Sequence, residues 1–342
     1  MGSRAHPRVR EAGRWERYYT QWGASGLALD LLPGPLPALR HARAQEPSSD
    51  WWHDPLWLEG CALIDVDRRV LSFEAPCADA SYRAALLAVL AETWAGWGVE
   101  WAYDGPVGLA ARTGADLREG LMGGSPLRPT GADGEFDPDT VFSVADEDSV
   151  RVGGLAVEPA EWLLCQGPAL LDRDPDLLRP VESWKRRPRH GLHIDRERRT
   201  GGLWTSTHLT WVSADSLPGG LPRWPGWTWE FWGDDAGRHE TCLTGRDPAR
   251  TLGLPAPDPL AGLRRLSADF AEHQQVDGAT QLIAMLLSVT ETLRGGVAQA
   301  GGSTETVVDN ATRHRPDDLA QAERTQVYAA MDRVERRLRG HR

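Results

Sequence analysis

The stretch CALIDVDRRV at 61–70 decides the fold, because GLHIDRERRT at 191–200 repeats it 130 residues later. Ile64, Asp65, Arg68 and Arg69 fall on Ile194, Asp195, Arg198 and Arg199. At the same offset, WAGWGVEWAYD at 94–104 falls on WPGWTWEFWGD at 224–234. That match carries Trp94, Gly96, Trp97, Glu100 and Asp104 onto Trp224, Gly226, Trp227, Glu230 and Asp234. Tryptophan is rare, so two matched pairs at one offset point to an internal repeat. A third block, GLALD at 26–30, aligns with GLAVE at 154–158 at a shift of 128. The fold expected is α+β: a tandem duplication of a tryptophan-rich unit, packed as one pseudo-symmetric body with a C-terminal helical extension.

Working outward, residues 62–73 and 192–204 each read as a β-hairpin turning at the repeated aspartate. Residues 26–31 and 154–157 read as short strands from their alternation. Helices are expected over 37–44 and 159–165, the latter opened by Pro159. Another helix is expected after Asp79 or Ser81, with the apolar face Tyr82, Leu86, Val89, Leu90 and Trp94. The second copy departs there, since TSTHLTWVSADSLPGGLP at 205–222 reads as extended and then looped. Each copy ends in a strand, 97–103 and 227–232, and the latter alternates Trp227, Trp229 and Phe231 against Thr228, Glu230 and Trp232.

These elements give a first repeat over 1–112, a linker over 113–140 and a second repeat over 141–250. A helical segment over 251–295, a flexible linker over 296–315 and a terminal amphipathic helix over 316–342 follow. The last helix carries Leu319, Val327, Met331, Val334 and Leu338 on one side of an otherwise charged surface. So narrow a stripe needs a partner, in this chain or in another. The expectation is a protein partner or self-association through 316–338, with a helix separable from the body.

Composition bounds the function class. The net charge of −11 argues against nucleic acid and anionic membranes as partners. The N-terminus lacks the apolar core of a signal peptide, and the longest dense apolar run, 282–287, is far too short for a membrane span. Cys61, Cys77, Cys165 and Cys242 have no CxxC spacing, which reads as reduced cytoplasmic thiols rather than disulfides or structural zinc. Lys185 stands alone against 37 arginines, a skew that points to a GC-rich bacterial genome and removes most lysine-based covalent chemistry.

Several residues could carry chemistry. Trp51, Trp52 and Trp57 lie outside the matched blocks and are the candidates for an exposed binding platform. Matched Trp94/Trp224 and Trp97/Trp227 read instead as core. Arg186, Arg187 and Arg189 lie in the basic stretch KRRPRHGLHIDRERR at 185–199. It could hold a phosphate or an acidic segment, or pair with the chain's own acidic tract at 137–148. His53, Asp54, His190 and Glu230 are acid/base candidates, Glu230 because Glu100 repeats it.

His193-x-Asp195, then His239 and Arg250, resembles the two-histidine, one-carboxylate facial triad of the 2-oxoglutarate oxygenases. That resemblance implies iron held by His193, Asp195 and His239, with Arg250 pairing with a cosubstrate carboxylate. Asp195 has a copy in Asp65, which has no histidine two residues before it. Turn formation therefore accounts for the aspartate, and no metal or cofactor is expected. With no nucleophile elbow, phosphate loop or dinucleotide fingerprint present, the residues favour a non-catalytic binding protein, of which an immunity-type protein masking a basic partner is one form. An enzyme working between the two repeats is the alternative.

Overall fold

The computed structural model describes residues 3–21, 23–48, 58–77, 79–115, 128–129, 138–147, 149–155, 157–158, 161–173, 177–209, 214–275 and 319–340. The chain forms two compact units. One comprises Met1–Pro76, Ser81–Trp101 and Pro259–Arg342, and the other Cys77–Ala80 and Ala102–Asp258.

The first unit is built on a six-stranded mixed sheet. Its strands are β1 (Arg4–Glu11), β2 (Arg14–Tyr19), β3 (Glu46–Pro47), β4 (Leu58–Asp65), β5 (Val70–Glu74) and β6 (Gly98–Trp101), in the order β3-β2-β1-β4-β5-β6. β1 and β4 run parallel at its centre, and β5 and β6 are parallel at one edge. The second unit's main sheet has the order β11-β9-β8-β12-β13-β14. It uses β8 (Thr140–Ala145), β9 (Val150–Leu155), β11 (Leu178–Arg179), β12 (His190–Asp195), β13 (Thr200–Thr205) and β14 (Thr228–Phe231). Its pairings have the same senses, β8 with β12 and β13 with β14 parallel and the others antiparallel. A two-stranded ribbon pairs β7 (Arg128–Pro129) with β10 (Val157–Glu158).

The matched sequence blocks occupy matched places. Asp65 accepts from Arg68 N at 2.9 Å and Asp195 accepts from Arg198 N at 2.9 Å, so each aspartate closes its hairpin turn. Arg69 and Arg199 then take left-handed backbone, with φ of 55° and 52°. The indole of Trp94 donates to the Leu31 carbonyl at 2.8 Å, and that of Trp224 donates to the Leu164 carbonyl at 2.8 Å. Both rings are fully buried and meet Trp97 and Trp227 edge to face. Trp97 and Trp227 themselves are only half-buried.

Leu31 ends α1 (Ala24–Leu31), and Leu164 lies in α5 (Glu161–Gln166). The expected strand over 26–31 is therefore a helix. Its alternating look came from a short window, whereas Ala24, Leu27, Ala28 and Leu31 form one buried helical stripe that packs on β4. Its counterpart is α5, and residues 154–155 belong to β9 instead. β1 is not among the expected elements: Arg4, His6, Arg8 and Arg10 alternate with Ala5, Pro7 and Val9, a polar and proline-containing run with little of the apolar character of a central strand. In place, His6 and Arg8 are fully buried in a central strand.

Helices cover the sheets. α2 (Pro35–Arg43) follows α1, and α3 (Ala80–Thr93) buries Tyr82, Leu86, Val89 and Leu90 as its spacing predicts. In the second unit a 3-10 turn over Ala214–Gly219 lies beside β14, in the crossover that α3 makes in the first. That unit also contains α4 (Gly105–Arg112), α6 (Leu170–Arg173) and α7 (Ala236–Thr244). Phe142, Leu192, Ile194, Trp224 and Trp229 form a core on one face of its sheet, while Val141, Trp204, Trp232 and Leu243 form one on the other. Trp229 and Trp232 therefore face opposite ways, as their alternation requires.

The terminal segment belongs to the first unit. α8 (Pro259–Gln275) buries Leu260, Leu263, Leu266 and Phe270, and α9 (Gln321–Gly340) packs on it through Val327, Ala330, Met331 and Val334. Gly262 lets α8 approach α3, since a Cβ there would lie 2.1 Å from the Ser81 carbonyl oxygen. Glu92 holds Arg333 and Arg337 at 2.9 Å each, and Arg40 grips both oxygens of Glu323. The middle of the apolar stripe of α9 is thus covered within this chain, at Val327, Met331 and Val334, while Leu319 and Leu338 at its ends are half-buried. The part of the expected helical segment over 251–295 that follows residue 275 and the expected linker over 296–315 lie outside the described residues, as do 116–127 and 130–137 of the linker expected over 113–140, within which β7 lies. No helix among the described residues is long and apolar enough to cross a membrane.

Candidate functional site

His193 and Ser143 are directly opposed across the parallel pair β12–β8, with side chains on the face that α7 covers. Ser143 Oγ lies 2.8 Å from His193 Nδ1 and 2.7 Å from His239 Nε2 on α7. Trp204 of β13 donates its indole proton to His239 Nδ1 at 3.2 Å. Gly191 makes room for that indole, because a Cβ there would fall 2.0 Å from Trp204 Nε1. Three strands and a helix thus converge on a buried polar chain of four side chains.

The electrostatics keep both rings neutral. Burial pushes His193 down to about 4, outweighing the attraction of the Asp195 carboxylate, while Arg246 and Arg198 add to the depression. Burial holds His239 well below its ordinary range, and His193 beside it works in the same sense. Asp195 is 2% exposed, and Arg246 Nη2 reaches both of its oxygens, at 2.9 and 2.8 Å. Arg246 also pairs with Glu197 at 2.7 Å.

The sequence spacing therefore does bring His193 and His239 together, with ring centroids 5.6 Å apart. It does so around a hydroxyl rather than an open coordination position. The nitrogens facing inward are taken by Ser143 and Trp204, and the carboxylate is taken by arginine. Among the described residues no group of three His, Cys, Asp or Glu side chains is arranged to hold a metal ion. Arg250 pairs with Asp247 at 3.5 Å.

The remaining candidates scatter. His190 sits at the start of β12, where burial pushes it down to about 4. A mostly apolar cavity beside it, with Glu161 and Trp204 on its wall, has room for about one water molecule. Glu230 lies half-exposed on edge strand β14, bonded to Trp232 Nε1 at 2.8 Å and to Arg238 at 2.6 Å. Its match Glu100 accepts from Ser72 Oγ at 3.0 Å. Arg186 and Arg189 both pair with Asp139, and Arg187 lies over the Trp204 ring and donates to the Pro255 carbonyl at 2.8 Å. Trp51, Trp52, His53, Asp54 and Trp57 lie outside the described residues.

Three members of this network escaped the sequence reading. Ser143 is the one hydroxyl in the apolar run VFSVA, and a polar residue inside a buried strand is a signal that could have found it. Trp204 and Arg246 carry no local signal, because both are recruited by tertiary contact. In the first unit, Asp30 of α1 meets His41 of α2 at 3.4 Å and His273 of α8 at 2.8 Å. That carboxylate ties three helices together.

Comparisons with models of protein families, with curated proteins and with solved structures each found no match.

Proposed function

We propose that this chain is a non-catalytic binding protein of the cytoplasm, formed by tandem duplication of a tryptophan-rich α+β unit. Its partner is a basic protein, which it masks in the manner of an immunity protein. The duplication is supported by two sheets of one strand order with the same aspartate-closed hairpin and the same tryptophan-to-carbonyl bond.

The observation that carries the binding reading is the fate of the reactive groups. Ser143, His193 and His239 are sealed into one another, and Asp195 is sealed by Arg246. A general base must reach a substrate proton within about 3 Å, and these rings are enclosed. The cavity at His190 is too small for a substrate. Among the described residues only Leu36 and Tyr328 are large exposed hydrophobics. Recognition would therefore run through charge, with a net −11 favouring a cationic surface.

The test is affinity capture of the tagged full chain from its native extract, at low salt and at roughly 1 M salt, where screening shortens to about 3 Å. A basic protein retained in near-stoichiometric amount at low salt and released at high salt supports the reading. Depletion of a metabolite from the same extract, abolished by His190→Ala, would replace it with the enzyme alternative.

A further inference from the structure

The Trp204–His239–Ser143–His193 chain has proton positions fixed by chemistry alone. An indole N–H can only donate, so His239 Nδ1 must accept. The neutral ring then carries its proton on Nε2 and donates it to Ser143 Oγ. The hydroxyl proton is left to His193 Nδ1. None of the four side chains is more than 3% exposed, and they link β13, α7, β8 and β12.

Another proton has no place in this chain. On His239 Nδ1 it would set one N–H against the N–H of Trp204. On His193 Nδ1 it would make Ser143 Oγ accept from both rings and strand the hydroxyl proton. A donor left without an acceptor in a dry interior is costly. We propose that the chain is an acid-released latch, in which proton uptake by His193 and His239 undocks α7 from the second unit's sheet.

The charged groups around the rings leave them as the sensitive point. Asp195 faces His193 from the same strand, but its carboxylate is held by Arg246, with Arg198 nearby. From α7, Arg238 is paired with Glu230 of β14, and Glu240 accepts from Leu252 N at 2.8 Å. Burial opposes charge on both rings more than any neighbour does.

The direction follows from linkage. Docked rings take protons only well below their ordinary value, while released rings take them near 6.5. Docking is therefore fully stabilised above about 6.5 and is weakened as pH falls towards about 4. Over that window the opening equilibrium of α7 rises up to about tenfold per pH unit for one ring, and about a hundredfold if both take up protons together.

Hydrogen exchange of the full chain from neutral pH down to about 4.5, corrected for the intrinsic pH dependence of exchange, measures this directly. The amides of 236–244 should open with a slope steeper than tenfold per pH unit, while those of β8 and β12 stay protected. His193→Asn with His239→Gln leaves an acceptor and a donor where Nδ1 and Nε2 stood, neither of which titrates, so the slope should flatten. Should that variant fail to fold, imidazole nitrogen resonances of the unaltered protein decide the matter. Both rings should remain neutral Nε2–H tautomers at about pH 6, where an ordinary histidine is mostly charged. A flat slope in the unaltered protein, an unchanged slope in the double variant, or either ring titrating near 6.5 with α7 still docked would overturn the proposal.

Discussion

Replacing Trp94 and Trp224 by phenylalanine, one at a time, tests the repeated architecture in energetic terms. Both indoles are buried, at 0% and 1% exposure, and each donates at 2.8 Å to a main-chain carbonyl of a neighbouring helix. Phenylalanine keeps a flat apolar ring and removes only the donor and part of the volume. Loss of the donor costs about 1–3 kcal/mol when the acceptor is buried. The void left by the smaller ring adds roughly 1 kcal/mol. The Leu31 carbonyl also accepts from Gly34 N at 3.2 Å, which places Trp94→Phe towards the lower end. The expected losses are therefore about 2 kcal/mol for Trp94→Phe and about 3 kcal/mol for Trp224→Phe. Urea unfolding followed by both fluorescence and circular dichroism gives the numbers, and disagreement between the two probes would reveal separate unfolding of the two units. A loss below about 1 kcal/mol at either position would refute the reasoning, because a buried donor of this kind cannot be removed so cheaply.

Three further outcomes follow from packing. Gly202→Ala places a Cβ 1.9 Å from the Trp232 ring and should cost at least about 1–3 kcal/mol. Gly219→Ala meets nothing within 4 Å and should stay within about 0.5 kcal/mol in the same melt. Removing 319–342 strips Val327, Ala330, Met331 and Val334 from α8 and bares Leu266 and Phe270, now fully buried. The truncated chain should bind a hydrophobic dye and aggregate; a monomer with an unchanged melting curve would show that α9 adds nothing to the first unit's core.

The sequence by itself determined whatever depends on short-range periodicity. The aspartate-closed hairpins, the Trp-x-x-Trp corners, the apolar face of α3 and the stripe of α9 were all legible, because burial imposes a local period on residue type. Only the tertiary structure decided where those faces went. The stripe of α9 had the same form whether it met another protein or α8, and nothing within 20 residues distinguishes the two. Residues 24–31 were ambiguous for a related reason: in so short a run a period of 2 and one of 3.6 fit almost equally well, and docking on β4 settles the helix. The polar chain was the least legible part. His193 and His239 stood out as residue types, but Ser143 is 50 positions from one and 96 from the other. It joins them only because β8 pairs with β12 in one register and α7, lying over β12 and β13, reaches it with His239. A hydrogen bond needs its partners within about 3 Å, a condition set by the packing of whole elements and left unrecorded in the spacing of the residues that meet it.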